Sequence, residues 1–544
     1  MSIGWRRAAG NRRDAGREMK RTRIGFYGVI LAIAVFLAGG EFSHASEEMP
    51  PPGVTPELLE QGKKLYTEDC AVCHGTEGKG DGTGAYLLFP KPRNFTDGIF
   101  KVRSTPTGEL PRDVDLYRTI SEGMPGSAMS SFVSRTEAER WALTYYVLEM
   151  ADIREEPERV IQVPPEPPAT PEALAEGKAL YTTFKCWECH GDEGRGDGPS
   201  AATSRDDWGY PNPPNDFTRG IYKGGGENED IYLRFTTGMD GATMPSYEDS
   251  ASEEQRWALV HYLKSLAGQK VAAQPGTGTI TARKVTGSFS LNPTHPLWDD
   301  APASQIPVML LWQRQQAADT VSVKAAHNGS EIAFLLEWED WEPAARFIRH
   351  QDYTDGAAIQ FSLSAEPPHF TMGEKDGTTN LWYWRADRQM DLARFQDVED
   401  VYPRVVADDY QFAKDRYPKD IERPGHLAVL SAPAHDPLYL AGVSVGNLVS
   451  TWRTSAVEDL NAEGFGTLTA QKKQEQNVTG QGFWLNGVWK VVFVRSLKSE
   501  DPLDVQLAPG AQTPVAFAVW DGSQGDRDGQ KAVTTWYDLR LDEE

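Results

Sequence analysis

The chain has 544 residues, of which 39% are hydrophobic and 25% are charged, as is typical of soluble globular proteins. A chain of this length exceeds what one hydrophobic core accommodates, so several domains are expected. The formal net charge of −24 argues against a nucleic-acid partner, because a phosphate backbone binds Lys and Arg rather than Asp and Glu.

The N-terminus has the pattern of an export signal. A basic segment from Met19 precedes an apolar stretch from Ile24 to Gly40, and the small-residue sequence Ser-His-Ala ends at Ala45. The apolar stretch is shorter than the roughly 20 residues that cross a bilayer. We therefore predict a signal peptide over residues 1–45, with Met19 as a candidate start and an uncleaved N-terminal anchor as the alternative. The rest of the chain is expected to be periplasmic, and membrane association through the N-terminus is left open.

Residues 55–150 and 170–267 carry the same pattern twice. Each copy opens with Thr-Pro, at Thr55 and Thr170, which is typical of an N-cap followed by proline at the first helical position. Each copy ends in an amphipathic segment that begins with a Ser/Thr-x-x-Glu/Gln capping box. We predict two all-α domains over these ranges, joined by a stiff Pro- and Glu-rich linker at 151–169.

All four cysteines lie in two Cys-x-x-Cys-His motifs, one in each copy. Two thiols at this spacing can form thioether bonds to the vinyl groups of one haem, and the adjacent histidine is then an axial iron ligand. One four-thiolate zinc site, two redox-active pairs and two disulfides are the alternatives. Haem c is favoured because zinc would leave both histidines unused and no βαβ pattern surrounds the pairs. The motif residues are Cys70, Cys73, His74, Cys186, Cys189 and His190.

Residues 55–267 resemble two class I cytochrome c domains in tandem. In that family a methionine from a Gly-Met-x-Gly-x-x-Met-type loop completes the iron coordination, and the haem lies between the first and last helices. The resemblance implies two covalent haems c with Met129 and Met244 as distal ligands, and Met124 and Met239 as rivals at the same repeat offset. The family usually has proline after the ligand, which is true of Met244 but not of Met129.

One arginine close to the first motif is a candidate partner for a haem propionate. Arg93 lies in the run KPRNF, and arginine commonly pairs with carboxylates. A solvated surface arginine is the alternative.

Residues 285–544 have the pattern of an antiparallel β-sandwich and follow a second linker at 268–284. The stretch TVSVKAAHNGSEIAFLLEWED alternates, turns at its Asn-Gly pair and alternates again, which predicts a β-hairpin. Further strands are expected to begin near Val488, Thr513 and Trp536. The predicted fold class is therefore multidomain, with two all-α domains followed by an all-β domain.

The residues of this third region show no catalytic set by themselves. Its histidines are scattered, and each is expected on the surface or in a loop. The run DGSQGDRDG from Asp521 faintly resembles a calcium loop but lacks its spacing and terminal glutamate, so a turn between two strands is predicted.

Four segments of this region resemble the haem-binding γ subunit of ethylbenzene dehydrogenase: HPLWDDAPA, IAFLLEWED, HFTMGEKDGTTNLWYWRAD and FAVWDGSQGDRDGQKAVTTWYDLRL. Its relatives occur in dimethylsulfide dehydrogenase, selenate and chlorate reductases and some nitrite oxidoreductases. In this family a methionine and a lysine hold one non-covalent haem b. The resemblance implies Met372 and Lys531 as these ligands, with Lys490 as a rival. A lysine ligand must be neutral, which requires burial; ordinary packing and solvation are the alternative roles.

These resemblances imply an electron-transfer subunit rather than an enzyme, because both axial positions of every proposed iron are filled by protein. They imply a periplasmic complex of the type II dimethylsulfoxide reductase family, with iron–sulfur and molybdenum-containing catalytic subunits as partners. A soluble cytochrome or a membrane acceptor would exchange electrons with the haems c. Nitrite oxidation or nitrate reduction is the expected chemistry. A free-standing electron carrier, and a diheme cytochrome with a haem-free docking or binding module, are the alternatives.

Overall fold

The computed structural model describes residues 51–267, 278–314, 316–364, 367–393, 398–402 and 455–543. The predicted signal peptide at 1–45 lies outside these residues. Within them, no helix is both long enough and apolar enough to cross a membrane.

The first repeat is helical, and its helices begin where the sequence places their caps. The Oγ1 of Thr55 accepts a hydrogen bond from the backbone N–H of Leu58 at 3.2 Å, just before the first helix. Thr136 precedes the last helix and forms the predicted capping box with Glu139. The helices are α1 (Pro56–Asp69), α2 (Ala71–His74), α3 (Asp113–Glu122) and α4 (Glu137–Met150).

The second repeat forms the same helices from equivalent residues. Thr170 caps its first helix through the N–H of Ala173, and Ser252 forms the predicted capping box with Gln255 at the last. The helices are α5 (Pro171–Thr183), α6 (Trp187–His190), α7 (Asn228–Thr237) and α8 (Glu253–Leu266).

One glycine in each repeat lets the first helix approach the last closely. A Cβ on Gly62 in α1 would lie 2.1 Å from the carbonyl oxygen of Ala142 in α4. A Cβ on Gly177 in α5 would lie 2.1 Å from the carbonyl oxygen of Ala258 in α8. Atoms cannot approach so closely, so only glycine fits at either crossing. The short helices α2 and α6, which carry the Cys-x-x-Cys-His motifs, follow directly after these tightly packed helices.

Among the described residues, the C-terminal half contains one hydrogen-bonded sheet of 14 strands. The strands are β1 (Thr279–Lys284), β2 (Ser304–Pro307), β3 (Met309–Leu310), β4 (Thr320–His327), β5 (Glu331–Glu339), β6 (Gly356–Ser362), β7 (Thr379–Arg385), β8 (Val457–Ala462), β9 (Thr469–Ala470), β10 (Thr479–Leu485), β11 (Val488–Ser496), β12 (Gln512–Trp520), β13 (Ala532–Val533) and β14 (Tyr537–Leu541). Two short helices, α9 (Ala386–Ala393) and α10 (Val398–Val401), follow β7.

The main path of the sheet runs in the order β10-β11-β5-β4-β1-β14-β12-β6-β7-β8-β9, and most of its pairs are antiparallel. Phe493 on β11 and Trp382 on β7, from opposite ends of this path, are buried in the same apolar core. Strands near the two ends of the sheet therefore pack large side chains into one shared core.

The predicted hairpin and three further strands are confirmed. Strands β4 and β5 pair antiparallel around the Asn-Gly turn, where Gly329 adopts a φ of +89°. Strands β11, β12 and β14 form from the segments expected to be extended.

The linker predicted at 268–284 is corrected at its C-terminal end. Thr279–Lys284 form β1, which pairs in parallel with both β14 and β4. Both neighbours are distant in sequence, so the local polar composition of this segment gave no sign that it completes the sheet.

The fold class is confirmed as a helical N-terminal half followed by a sheet domain rich in antiparallel pairs. The separation of the helical half into two domains and the division of the sheet into a sandwich remain predictions.

The first repeat packs directly on the sheet domain. The N–H of Phe89 donates to the carbonyl of Leu311 at 3.0 Å, and the N–H of Gln313 donates to the carbonyl of Phe89 at 2.8 Å. Leu88 joins an apolar cluster with Trp520 of β12. This contact places the first Cys-x-x-Cys-His motif beside the sheet.

Candidate cofactor sites

The first Cys-x-x-Cys-His motif opens into a largely apolar cavity that is open to solvent on one side. Cys70, Cys73 and His74 line it, and the predicted distal methionine, Met129, lines it as well. The remaining wall includes aliphatic and aromatic side chains such as Phe95. An apolar cavity that brings together two thiols, an imidazole and a thioether fits a covalently held haem.

The ring of His74 is held in the form that a metal requires. Its Nδ1 donates to the carbonyl oxygen of Arg93 at 3.0 Å, and because a carbonyl can only accept, the lone pair of the neutral ring is on Nε2. Burial lowers the pKa of His74 to about 4, so the ring is neutral at physiological pH. Phe95 stacks against the ring at 4.4 Å between centroids and limits its rotation.

The rival methionines of the first repeat lie on the same turn. The N–H of Met124 donates to the carbonyl of Met129 at 2.9 Å, and both side chains line the first cavity. The structure therefore brings both methionines to the site, and the assignment of Met129 as the distal ligand stays a prediction.

The second motif repeats this arrangement. Nδ1 of His190 donates to the carbonyl oxygen of Asn215 at 3.0 Å, and Phe217 stacks on the ring at 4.4 Å. Burial lowers the pKa of His190 to about 4. Cys186 and Met244 pack against one apolar cluster, which places the predicted distal ligand on the core that supports the motif.

Four cations line the first cavity, and the sequence analysis singled out only Arg93 among them: Lys91, Arg93, Lys101 and Lys223. Burial lowers the pKa of Lys101 to about 7 and that of Lys223 to about 8. Neither lysine has an ion pair with an acid in the described part of the chain, and Nζ of Lys223 reaches only the amide oxygen of Gln313 at 3.4 Å. Buried cations that lack acidic partners fit a ligand with carboxylate edges, as haem propionates are.

The internal repeat in the sequence could have identified Lys101 and Lys223. Lys101 ends the run GIFK and Lys223 ends the equivalent run GIYK, so they occupy the same position in the two copies. The guanidinium of Arg93 lies over the ring of Trp208 in the second repeat, 4.1 Å from its centroid. Residues of both repeats therefore meet at the cation-lined wall of the first cavity.

The sheet domain also contributes to the first cavity. His369 and Phe370 line it, although sequence reasoning assigned neither a role. The backbone N–H of Thr371 donates to Nδ1 of His369 at 3.3 Å, and burial lowers the pKa of this histidine to about 4. His369 lies in a loop, as expected.

The expectation of a surface or loop position is wrong for His327, which is fully buried on β4, with Nε2 2.9 Å from the carbonyl of Asp542. At this residue β4 is paired with both β1 and β5, so the burial follows from strand pairing rather than from local sequence.

A second, much smaller cavity lies in the sheet domain, and Lys531 is one of its lining residues. The lysine is 6% exposed, and burial lowers its pKa to about 8. Its Nζ lies 4.9 Å from the ring centroid of Trp520, and no ion pair to it occurs among the described residues. The rival Lys490 forms an ion pair with Glu337 on the neighbouring strand, so its amine is already engaged.

Met372, the other predicted ligand of haem b, lies beside the second cavity but is not one of its lining residues. Thr371 and Leu381 line the cavity, whereas Met372 packs against the cluster that contains Leu381. Met372 has a φ of +86°, which is rare for a residue other than glycine and is typical of strained functional positions. The structure thus brings the neighbours of Met372 to Lys531, and its role as a ligand stays a prediction.

Family models match two parts of this chain. The cytochrome c model matches residues 59–151 and 174–267, and the ethylbenzene dehydrogenase model matches residues 295–532. Both Cys-x-x-Cys-His motifs lie within the first pair of matches, and Lys531 lies within the last.

The chain is 23% identical over 286 residues to a protein of Haloferax mediterranei that is named as a respiratory nitrate reductase heme subunit, ORF7. The match covers 51% of this chain and 78% of that protein. It is 21% identical over 274 residues to the chlorate reductase subunit gamma of Ideonella dechloratans, covering 48% of this chain and 84% of that subunit. It is 45% identical to a chain of the Kuenenia stuttgartiensis reducing HAO-like protein complex Kustc0457/Kustc0458, covering 40% of this chain and 99% of that chain with a TM-score of 0.38.

Proposed function

We propose that this chain, which belongs to the γ-type haem subunits and joins two cytochrome c segments to an ethylbenzene dehydrogenase-family domain, relays electrons for a separate catalytic partner. Each haem, when bound, supplies an iron that takes up and releases one electron. The cytochrome c segments provide covalent haem c, and we assign two of them and one haem b to the chain.

The observation that carries this proposal is the position of Phe370. This residue lines both the first cavity and the Lys531 cavity. Cys73 and Phe370 also pack against one apolar cluster, which contains Trp520 from the wall of the Lys531 cavity. Two redox centres held in these cavities would therefore be separated by a thin layer of packed side chains, which offers a short path for electrons.

The side chains have distinct roles in this relay. His74 and His190 would each hold a haem iron through Nε2, with Met129 and Met244 as the proposed second protein ligands. Lys531 is the proposed ligand of haem b, with Met372 as its partner. Because two protein ligands are proposed for each iron, we assign electron transfer to these sites and the substrate chemistry to another subunit.

The partners follow from family analogy. We propose an iron–sulfur subunit and a molybdenum-containing catalytic subunit that exchange electrons with the haem b site, and a soluble cytochrome or membrane acceptor at the haem c sites. The nitrate and chlorate reductase names of two relatives favour nitrogen or chlorine oxyanion chemistry, with nitrite oxidation or nitrate reduction as the first choice. A periplasmic location is proposed with it. A free-standing carrier would have the same haems but would purify without a molybdenum protein.

The experiment that tests the proposal is a pyridine haemochrome spectrum of the exported protein. We expect two haems c and one haem b per chain. Lys531→Leu should remove haem b and leave haem c unchanged, whereas Lys490→Leu, which breaks an ion pair with Glu337 on the sheet, should retain all three. Two haems c without haem b in the unaltered protein would reject the relay and favour a diheme cytochrome with a docking module.

A further inference from the structure

Three buried aspartates meet at the ends of three strands, in a part of the sheet domain that the haem assignment does not use. Asp340 follows β5, Asp355 precedes β6 and Asp521 follows β12. One carboxylate oxygen from each lies within 4.8 Å of the others. The run DGSQGDRDG, which the sequence analysis interpreted as a turn, supplies only Asp521; the other two aspartates come from distant segments.

One oxygen in this cluster has no N–H or hydroxyl donor among the described residues, and the carboxyl group of Asp355 is beside it. Asp340 is 1% exposed, and its Oδ1 accepts a hydrogen bond from the N–H of Glu342 at 3.1 Å. Its Oδ2 is buried and accepts no hydrogen bond from any described residue. A buried carboxylate oxygen without a donor is strongly destabilising unless a cation or a proton compensates it.

The carboxylates of Asp355 and Asp521 accept hydrogen bonds from nearby donors. Oδ1 of Asp355 accepts the N–H of Gly522 at 2.8 Å, and its Oδ2 accepts the indole N–H of Trp489 at 2.9 Å. Oδ1 of Asp521 accepts the hydroxyl of Ser523 at 2.7 Å. These bonds fix the orientation of two carboxylates and leave Asp340 as the group with unused coordination capacity.

Arg314 is a basic side chain whose charge acts on Asp521, but it is already engaged. It forms an ion pair with a fourth buried acid, Asp526, at 2.6 Å. The three aspartates would therefore carry a net negative charge inside the protein, where an uncompensated charge is strongly disfavoured.

We propose that Asp340, Asp355 and Asp521 bind one Ca²⁺ ion. Carboxylate oxygens are hard ligands, and Ca²⁺–oxygen distances of about 2.3–2.6 Å allow oxygens on opposite sides of the ion to lie about 5 Å apart. Ca²⁺ also accepts irregular cages, whereas Mg²⁺ demands near-octahedral geometry and retains water, which this buried site disfavours.

The ion would join strand ends next to the second cavity. Asp521 follows Trp520, which lines that cavity, and Trp520 pairs with Gly356, the residue after Asp355. A shared ion would hold the ends of β5, β6 and β12 in register. The site does not depend on the relay: it rests on the sheet domain alone.

The test is calorimetric titration of the full-length, haem-loaded protein with CaCl₂ after dialysis against EGTA. We expect one Ca²⁺ per chain with a dissociation constant of about 10⁻⁴ M or lower. Scanning calorimetry should show a transition that is about 5 °C higher in saturating Ca²⁺ than in EGTA. Mg²⁺ at the same concentration should produce a much smaller shift.

Asp340→Asn keeps the shape of the side chain and should weaken Ca²⁺ binding at least tenfold and abolish the thermal shift. Asp538→Asn, an exposed change on β14, is the matched control and should behave as the unaltered protein does. If the unaltered protein shows no saturable Ca²⁺ site and the same transition in EGTA, the proposal is wrong and protons compensate the cluster. This measurement decides the question even if Asp340→Asn fails to fold, and neither outcome depends on haem content.

Discussion

The affinity for haem b should depend steeply on pH because the proposed ligand is a buried lysine. Only the neutral amine can bind iron, and a proton competes for the same lone pair. Burial lowers the pKa of Lys531 from its ordinary 10.5 to about 8. The lower pKa reduces the free energy needed to deprotonate the amine at pH 7 by roughly 3 kcal/mol. The deprotonation that must accompany iron binding at pH 7 then costs about 1.4 kcal/mol.

The direction of the pH dependence follows from the lowered pKa of Lys531. Below pH 8 the free site is mostly protonated, so each further pH unit downwards should weaken haem b binding about tenfold. Above pH 8 the amine is already neutral, and the affinity should level off. A lysine with the ordinary pKa would instead keep gaining affinity up to pH 10.5.

The assay is a titration of haem b into protein that retains its covalent haems but has lost haem b, followed by the low-spin haem b absorption at pH 6, 7, 8 and 9. We expect the apparent dissociation constant to fall about tenfold from pH 6 to pH 7 and to change little from pH 8 to pH 9. Lys490→Leu should reproduce this curve, and Lys531→Leu should abolish low-spin binding. A dissociation constant that is independent of pH over this range would refute lysine ligation.

Gly62→Ala should destabilise the first repeat by about 3 kcal/mol or more in denaturant unfolding, because its Cβ would overlap a carbonyl of α4; Gly53→Ala, in open space, should have no effect. Lys223→Gln should lower the midpoint potential of the first haem c by on the order of 50 mV, because a buried positive charge disfavours the ferric state. Met129→Ala should remove the methionine–iron absorption of one haem c, whereas Met124→Ala should retain it.

Each of these three predictions can be contradicted by a specific result. Normal stability of the Gly62 variant would contradict the close helix crossing. An unchanged potential in the Lys223 variant, or an equal change in the exposed-site variant Lys178→Gln, would place the propionates elsewhere. Loss of the methionine band in the Met124 variant would reverse the ligand assignment in the first repeat.

Local features of the fold could be predicted because they depend on neighbouring residues. The Thr-Pro caps at Thr55 and Thr170 and the capping box at Thr136 satisfy backbone groups within one turn, so a few residues decide them. The Asn-Gly turn between β4 and β5 is equally local, because glycine accepts the positive φ that the turn requires. The strand at Thr279–Lys284 could not be found in this way, since its partners β4 and β14 are far along the chain.

The sequence by itself determined the cysteine motifs, their histidines and the family of each segment, because thioether attachment needs one fixed short spacing. Tertiary structure alone decided that Lys223 of the second repeat and Phe370 of the sheet domain would line the cavity of the first motif. It also decided the burial of Lys531, which a Gly- and Asp-rich turn would otherwise leave in solvent. The physical reason is that burial and charge compensation depend on which distant strands and helices pack together, and no local pattern specifies that.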